Sequence, residues 1–190
     1  MARFRSSKRN GFTLVEVLAS LVIVGILSAV ALPRLDLEAY KVNSAVRSVT
    51  STLTYAQRLA VTLQNDVRVS FDSTNGRLRI HEDANNNSIM DGTERVTSLP
   101  FDGGVSLGRA SAPAAAFGTA AVNFTQMQAG IPVVVFRRDG TASENGGFYL
   151  TTTKSAVQNN PYRSRAGQIV RGSGRVIWQR YTTSGWQRGN

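Results

Sequence analysis

Apolar and polar positions change their period twice along this chain, and each change predicts a different kind of element. From Phe12 to Leu32 there are 21 residues with Glu16 as the only charge. At 1.5 Å per residue such a run makes a helix of about 30 Å, the thickness of a bilayer's hydrocarbon layer, so 12–32 is expected to span a membrane. Pro33 follows and removes one helical hydrogen bond, which places a kink there. Val42, Val46, Val49, Leu53, Ala56, Ala60 and Leu63 then recur at spacings of four and three, with Lys41, Asn43, Arg47, Ser51 and Arg58 on other faces. That is one stripe of an amphipathic helix over 33–65. A helix running from Phe12 to about Gln64 would be about 80 Å long. Beyond Leu63 the texture is short and β-branched: VRVSF, RLRIH, RVTSL, AVNF, PVVVFR, GFYL and RVIWQ, separated by Gly, Asn and Pro turns. GRASAPAAAFGTAA has no clear period and reads as a long connection. One long helix followed by hairpin-length strands predicts an α+β fold with an antiparallel sheet.

The 190 residues suffice for one ordinary domain plus an appended element. A net charge of +10 favours anionic partners such as nucleic acid, acidic lipid or an acidic protein surface. Without cysteine there is no disulfide framework and no thiolate metal site, and a single histidine, His81, leaves few ways to pair a nucleophile with a base. His81 is read as a surface histidine in a strand. The chain is therefore expected to be no enzyme and to require no cofactor.

Glu16 is the residue that needs a reason. A carboxylate inside an apolar span costs about 2–3 kcal/mol even on lenient insertion scales and is normally paired. A discarded secretory signal with an Ala29-x-Ala31 cleavage site, or a plain anchor, would leave that cost unexplained. Ahead of the run, Arg3, Arg5, Lys8 and Arg9 form a leader with no acid, which holds that end in the cytoplasm. KRNGFTLVEVL resembles the type III signal of type IV pilins and of the pseudopilins of type II secretion. The resemblance implies cleavage between Gly11 and Phe12 by a prepilin peptidase, methylation of the Phe12 nitrogen, and pairing of Glu16 with the terminal amine of a neighbouring subunit. Gly25 and Ala29 add a strip on which apolar helices can approach closely. In that family the first half of the helix anchors in the inner membrane and later packs in the filament core, and the second half backs a β-rich head. The implied division is a leader over 1–11, a membrane and filament-core helix over 12–32, an amphipathic half over 33–65, and a head over 66–190. The order of helix, YAQRLAVTLQNDVRVSF and β-rich head is similar to the GspH and FimT branch. This implies a minor type IV pilin, with a minor pseudopilin of type II secretion as the alternative. Its partners would be other pilins or pseudopilins, and its place the bacterial inner membrane, single-pass with the head outside the cytoplasm, and then the pilus or pseudopilus.

Two further patterns carry chemistry. DANNNSIMDGTE sets Asp83, Asn85, Asn87, Asp91 and Glu94 at positions 1, 3, 5, 9 and 12 of an EF-hand-like loop, a spacing that suits Ca²⁺. Ser88 stands where glycine is usual at position 6, and the flanks are strands. A polar hairpin turn is the alternative. From Ser155 onward there are six arginines, Arg163, Arg165, Arg171, Arg175, Arg180 and Arg188, and no acid. Tyr162, Trp178, Tyr181 and Trp186 lie between them, a mixture suited to holding phosphates and stacking bases of DNA. Some FimT-type pilins bind DNA during uptake through a Gly-Arg-x-Arg motif. Here Gly174 and Arg175 match it, Ile177 replaces the second arginine, and Arg171 and Arg180 can supply the charge. A solvated edge strand kept soluble by its arginines is the alternative.

Overall fold

A computed structural model of the chain describes residues 11–31 and 36–189, in two compact units that divide after Leu37. In the first unit, helix α1 covers Leu14–Ala31. Thr13 precedes it and caps it: the Thr13 hydroxyl oxygen accepts the Glu16 amide N–H at 3.2 Å. Thr-x-x-Glu is a helix-start signature, and a carboxylate in the first turn also suits the helix dipole. From Gly11 to Ala29 every side chain is exposed, the apolar ones included. Among the described residues no helix is long and apolar enough to cross a membrane. The 18 residues of α1 cover about 27 Å. Leu32, the last residue of the expected span, lies outside the described residues, as do the expected kink at Pro33 and the leader arginines and lysine.

In the second unit, helix α2 covers Leu37–Leu63 and buries Val42, Val46, Val49, Leu53, Ala56 and Ala60, the stripe expected from the spacing. Leu63, the last member of that stripe, is exposed because the helix stops there: Gln64 turns to a positive φ of 58° and donates its side-chain N–H back to the Val61 carbonyl. The strands are β1 (Asp66–Asp72), β2 (Arg77–Asp83), β3 (Val96–Pro100), β4 (Val105–Leu107), β5 (Val122–Asn123), β6 (Met127–Gln128), β7 (Ile131–Phe136), β8 (Gly146–Thr152), β9 (Arg165–Ile169), β10 (Val176–Thr182) and β11 (Gly185–Arg188). A short helix, α3 (Thr153–Val157), follows β8.

The strands form two antiparallel sheets, β3-β2-β1-β7-β6 and β11-β10-β9-β8-β4, with β5 pairing β8 beside β4. Both sheets turn apolar faces into one core with the buried stripe of α2: Val67, Val69, Phe71, Leu78 and Ile80 from the first, Phe148, Leu150 and Ile169 from the second. Phe71 joins them, its ring centroid lying 5.3 Å from Phe124 and 5.2 Å from Phe148. The expected α+β architecture is therefore present. Gly167 in β9 lies under the Phe148 ring, and a Cβ there would run into it. Strand-interior glycine costs stability unless something packs where its side chain would be, and here an aromatic ring does so.

The other face of the first sheet is polar, with Arg68, Ser70, Asp72 and His81 buried and Arg77 and Arg79 partly so. Arg68, Ser70 and Asp72 of β1 stand beside His81, Arg79 and Arg77 of β2 in the antiparallel register. Asp72 receives Arg79 at 3.0 Å and Arg77 at 3.5 Å. Burial pushes the Asp72 carboxyl upward, but hydrogen bonds from Asn75 and the Arg79 guanidinium outweigh it and bring the pKa down to about 2.

Candidate functional sites

Gly11, Phe12 and Thr13 lie outside the helix, ahead of its first turn, and Phe12 is 82% exposed. The bond between Gly11 and Phe12 thus sits on non-helical, accessible backbone. Glu16 is also exposed, three residues past the helix cap, and its backbone carbonyl accepts the Ser20 hydroxyl at 2.8 Å.

The acidic loop joins β2 to β3. Asp83 lies at the end of β2, where its Oδ2 accepts the Ser88 amide N–H at 2.9 Å and stands 3.5 Å from Arg68. Asn85 and Asn87 each donate a side-chain N–H to Asp91 Oδ2, at 2.8 and 3.0 Å. Glu94 accepts the amides of Ala84 and Asp91, at 2.9 and 3.1 Å. Among the described residues no three His, Asp or Glu side chains are already grouped to hold a metal ion. Any cation here must draw on the asparagine oxygens as well.

His81 departs from expectation: it is fully buried and 2.6 Å from Glu94. Its Nδ1 lies 3.0 Å from the Gln128 amide nitrogen, and Gln128 Oε1 in turn accepts the Ser70 hydroxyl. Since the amide nitrogen can only donate, Nδ1 accepts, and Nε2 carries the proton given to Glu94. The His81 hydrogen bond, with the amide of Asp91, holds the Glu94 carboxyl below its ordinary range. Neither His81 nor Gln128 belonged to the sequence pattern. The row Ser70, Gln128, His81, Glu94 crosses three strands and a loop, and only the pairing of β6 with β7 and of β7 with β1 brings Gln128 there.

The C-terminal arginines separate into two groups. Arg165 is 4% exposed and donates to Asn43 Oδ1 of α2 at 2.7 Å and to the carbonyls of Tyr162 and Ser164 at 3.0 and 2.8 Å. It is a clamp between sheet and helix, out of reach of a phosphate, which corrects its place among the DNA-facing residues. Trp178 is corrected likewise: it packs against the core, with the Arg47 guanidinium 5.8 Å from its ring centroid. Tyr162, Tyr181, Trp186 and Tyr149 form a row of rings with successive centroids 6.0, 5.4 and 5.7 Å apart, the first pair stacked, the second edge to face and the third tilted. The Trp186 indole N–H donates to the Pro113 carbonyl, and Tyr149 holds the Ala115 amide and Gly118 carbonyl. These aromatics fasten the long connection onto the second sheet. Arg171, Arg175, Arg180 and Arg188 remain exposed, and Arg163 is half-buried. Gly174, beside Arg175, takes a φ of +60° where a side chain would strike the Gly140 carbonyl.

A model of the prokaryotic N-terminal methylation motif matches residues 6–32, and one of the type II transport protein GspH matches residues 45–172, most of the chain. The chain belongs to the GspH family. No curated protein and no solved structure matches it. Its GspH domain and methylation motif make it a minor pilin or pseudopilin of the type IV pilin-like class, a structural family and not a known class of enzyme. The prepilin-type signal implies anchoring in the inner membrane, processing by a prepilin peptidase and assembly with other pilins or pseudopilins. The GspH match stops at Gly172, so β10 and β11, with Arg175, Arg180 and Arg188, lie beyond it.

Proposed function

We propose that this GspH-family chain is a minor type IV pilin, made as an inner-membrane precursor with a single span and the head outside the cytoplasm. Prepilin peptidase cuts it between Gly11 and Phe12 and methylates the new amine, and the mature chain joins or primes a pilus. The observation that carries this is the exposed, non-helical Gly11–Phe12 bond directly before a capped helix whose third residue is Glu16. Mass spectrometry of the amino-terminal peptide tests it, in cells with and without the peptidase. With the enzyme, the chain should begin at Phe12 and carry one methyl group. Without it, the leader should remain. A mature chain beginning elsewhere defeats the proposal.

The minor-pseudopilin reading is favoured by the match to the type II transport protein GspH. Deleting the gene separates the two: lost piliation supports the first, and lost secretion of folded exoproteins with normal pili supports the second.

DNA contact during uptake is part of the first reading, and its support is now the exposed group Arg171, Arg175 and Arg180. Phosphate contacts release counterions, so binding should fall steeply with salt. Changing these three arginines to alanine should lower the log–log salt slope by about 2–3, with the Tm kept. An unchanged slope would remove DNA from the function.

A further inference from the structure

We infer that the loop from Asp83 to Glu94 is a calcium site of the head, which goes beyond the assembly function proposed above. The residue that points to a ligand is Asp83. It is 1% exposed, its Oδ2 is taken by the Ser88 amide within the loop, and its Oδ1 is buried without a hydrogen-bond partner. A buried carboxylate oxygen with no partner costs free energy, and such atoms in folded proteins call for an ion or other ligand to satisfy them. The Ser88 contact at Oδ2 ties the carboxylate to the loop, so a cation bound there has Oδ1 to draw on.

The rest of the loop supplies the other ligands. Asn85 and Asn87 already meet at the Asp91 carboxylate. A cation between them takes over that carboxylate, and the two amides turn their oxygens to it. The Ile89 carbonyl stands at position 7, and Glu94 closes the far side at position 12, held in place by His81. Carboxylate ligands are oriented by their own hydrogen bonds, and this one has a fully buried imidazole behind it. Position 6 of such loops is glycine because the chain turns sharply there. Ser88 performs the same turn at a φ of +68°. Every donor is a hard oxygen, with no thiolate or imidazole among the ligands, which selects calcium over zinc or copper. Magnesium, which demands a tighter octahedron, fits a flexible loop less well.

The site is weak. It has three carboxylates, and Arg68 stands beside one of them, 3.5 Å from Asp83 Oδ2. Affinity belongs in the range of extracellular modules, about 10⁻⁴–10⁻³ M. Calcium therefore acts where it is plentiful, outside the cytoplasm, and pins the loop that carries exposed Ile89 and Met90.

The test uses the full chain in detergent, stripped by a chelator. Adding about 5 mM calcium should raise the Tm by about 3–6 °C, and the same magnesium should raise it far less. Asp83→Asn should abolish the shift. Since that change touches a buried residue, the exposed Asn87→Ala and the loop variant Asp91→Asn serve beside it. Each should melt close to the parent without calcium and lose most of the response. No shift and no heat of binding in the parent would overturn the inference, as would a full shift retained in Asn87→Ala and Asp91→Asn.

Discussion

Changing Glu16 to alanine is expected to leave the chain made, cleaved and held in the membrane, and to reduce its amount in sheared filaments about a hundredfold or more. The helix itself survives the change, because the cap runs from the Thr13 hydroxyl to the backbone of residue 16, and alanine keeps that backbone. Membrane retention rises, since the substitution deletes the one charge of α1 and with it a cost of about 2–3 kcal/mol. If Glu16 pairs with the terminal amine of a neighbouring subunit, as the family resemblance implies, what is lost is the partner of that Phe12 amine. An ammonium left unpaired in an apolar medium costs about 3–5 kcal/mol, or over two powers of ten in occupancy. Immunoblots of sheared filaments and membranes measure the ratio. Glu16→Gln keeps the shape without the charge and should fail equally. Incorporation of either variant at the parental level would sink the pairing role.

Arg165→Ala should lower the Tm of the head by about 6–12 °C, corresponding to a loss of about 3 kcal/mol. The guanidinium is a buried charged donor with three oxygen partners, and one of them, Asn43, belongs to α2. Removing it takes the partner from Asn43 Oδ1 and from the Tyr162 carbonyl at the junction of helix and sheet, while the Ser164 carbonyl keeps the Tyr181 amide at 3.3 Å. Arg175→Ala, at an exposed turn, should leave the melt within about 1 °C. Thermal melts of both variants decide the matter: equal, small shifts would mean that Arg165 is a surface charge like the others.

These two residues also mark what sequence could and could not supply. The methylation motif is legible because its residues, Gly11, Phe12 and Glu16, lie within one short stretch of sequence. The α2 stripe is legible because one face of that helix is buried along most of its length, and the period records it. Strands rich in valine and aromatics declared themselves, whereas β9 did not. Its sequence, RAGQI, is buried by the aromatic ring of Phe148 in the neighbouring β8 and by a clamp to α2, and neither is visible in its own composition. Arg165 looked like its exposed neighbours for the same reason. His81 looked like a surface residue because it stands on the polar face of β2, and that face is covered by a loop and by Gln128, 47 positions away in sequence. The spacing of the acidic loop was readable. The turn of Asp83 that leaves one oxygen without a partner required the folded chain.

The contact between Phe148 and Gly167 limits how this head can diverge. A larger residue at 167 collides with the ring, and a smaller one at 148 opens a cavity over bare backbone, so either step alone passes through a poorly folded intermediate. The two positions, 19 apart in the chain and facing each other across a strand pair, can therefore change only together. The exposed loops carry no such restraint, so a substitution there is tolerated singly.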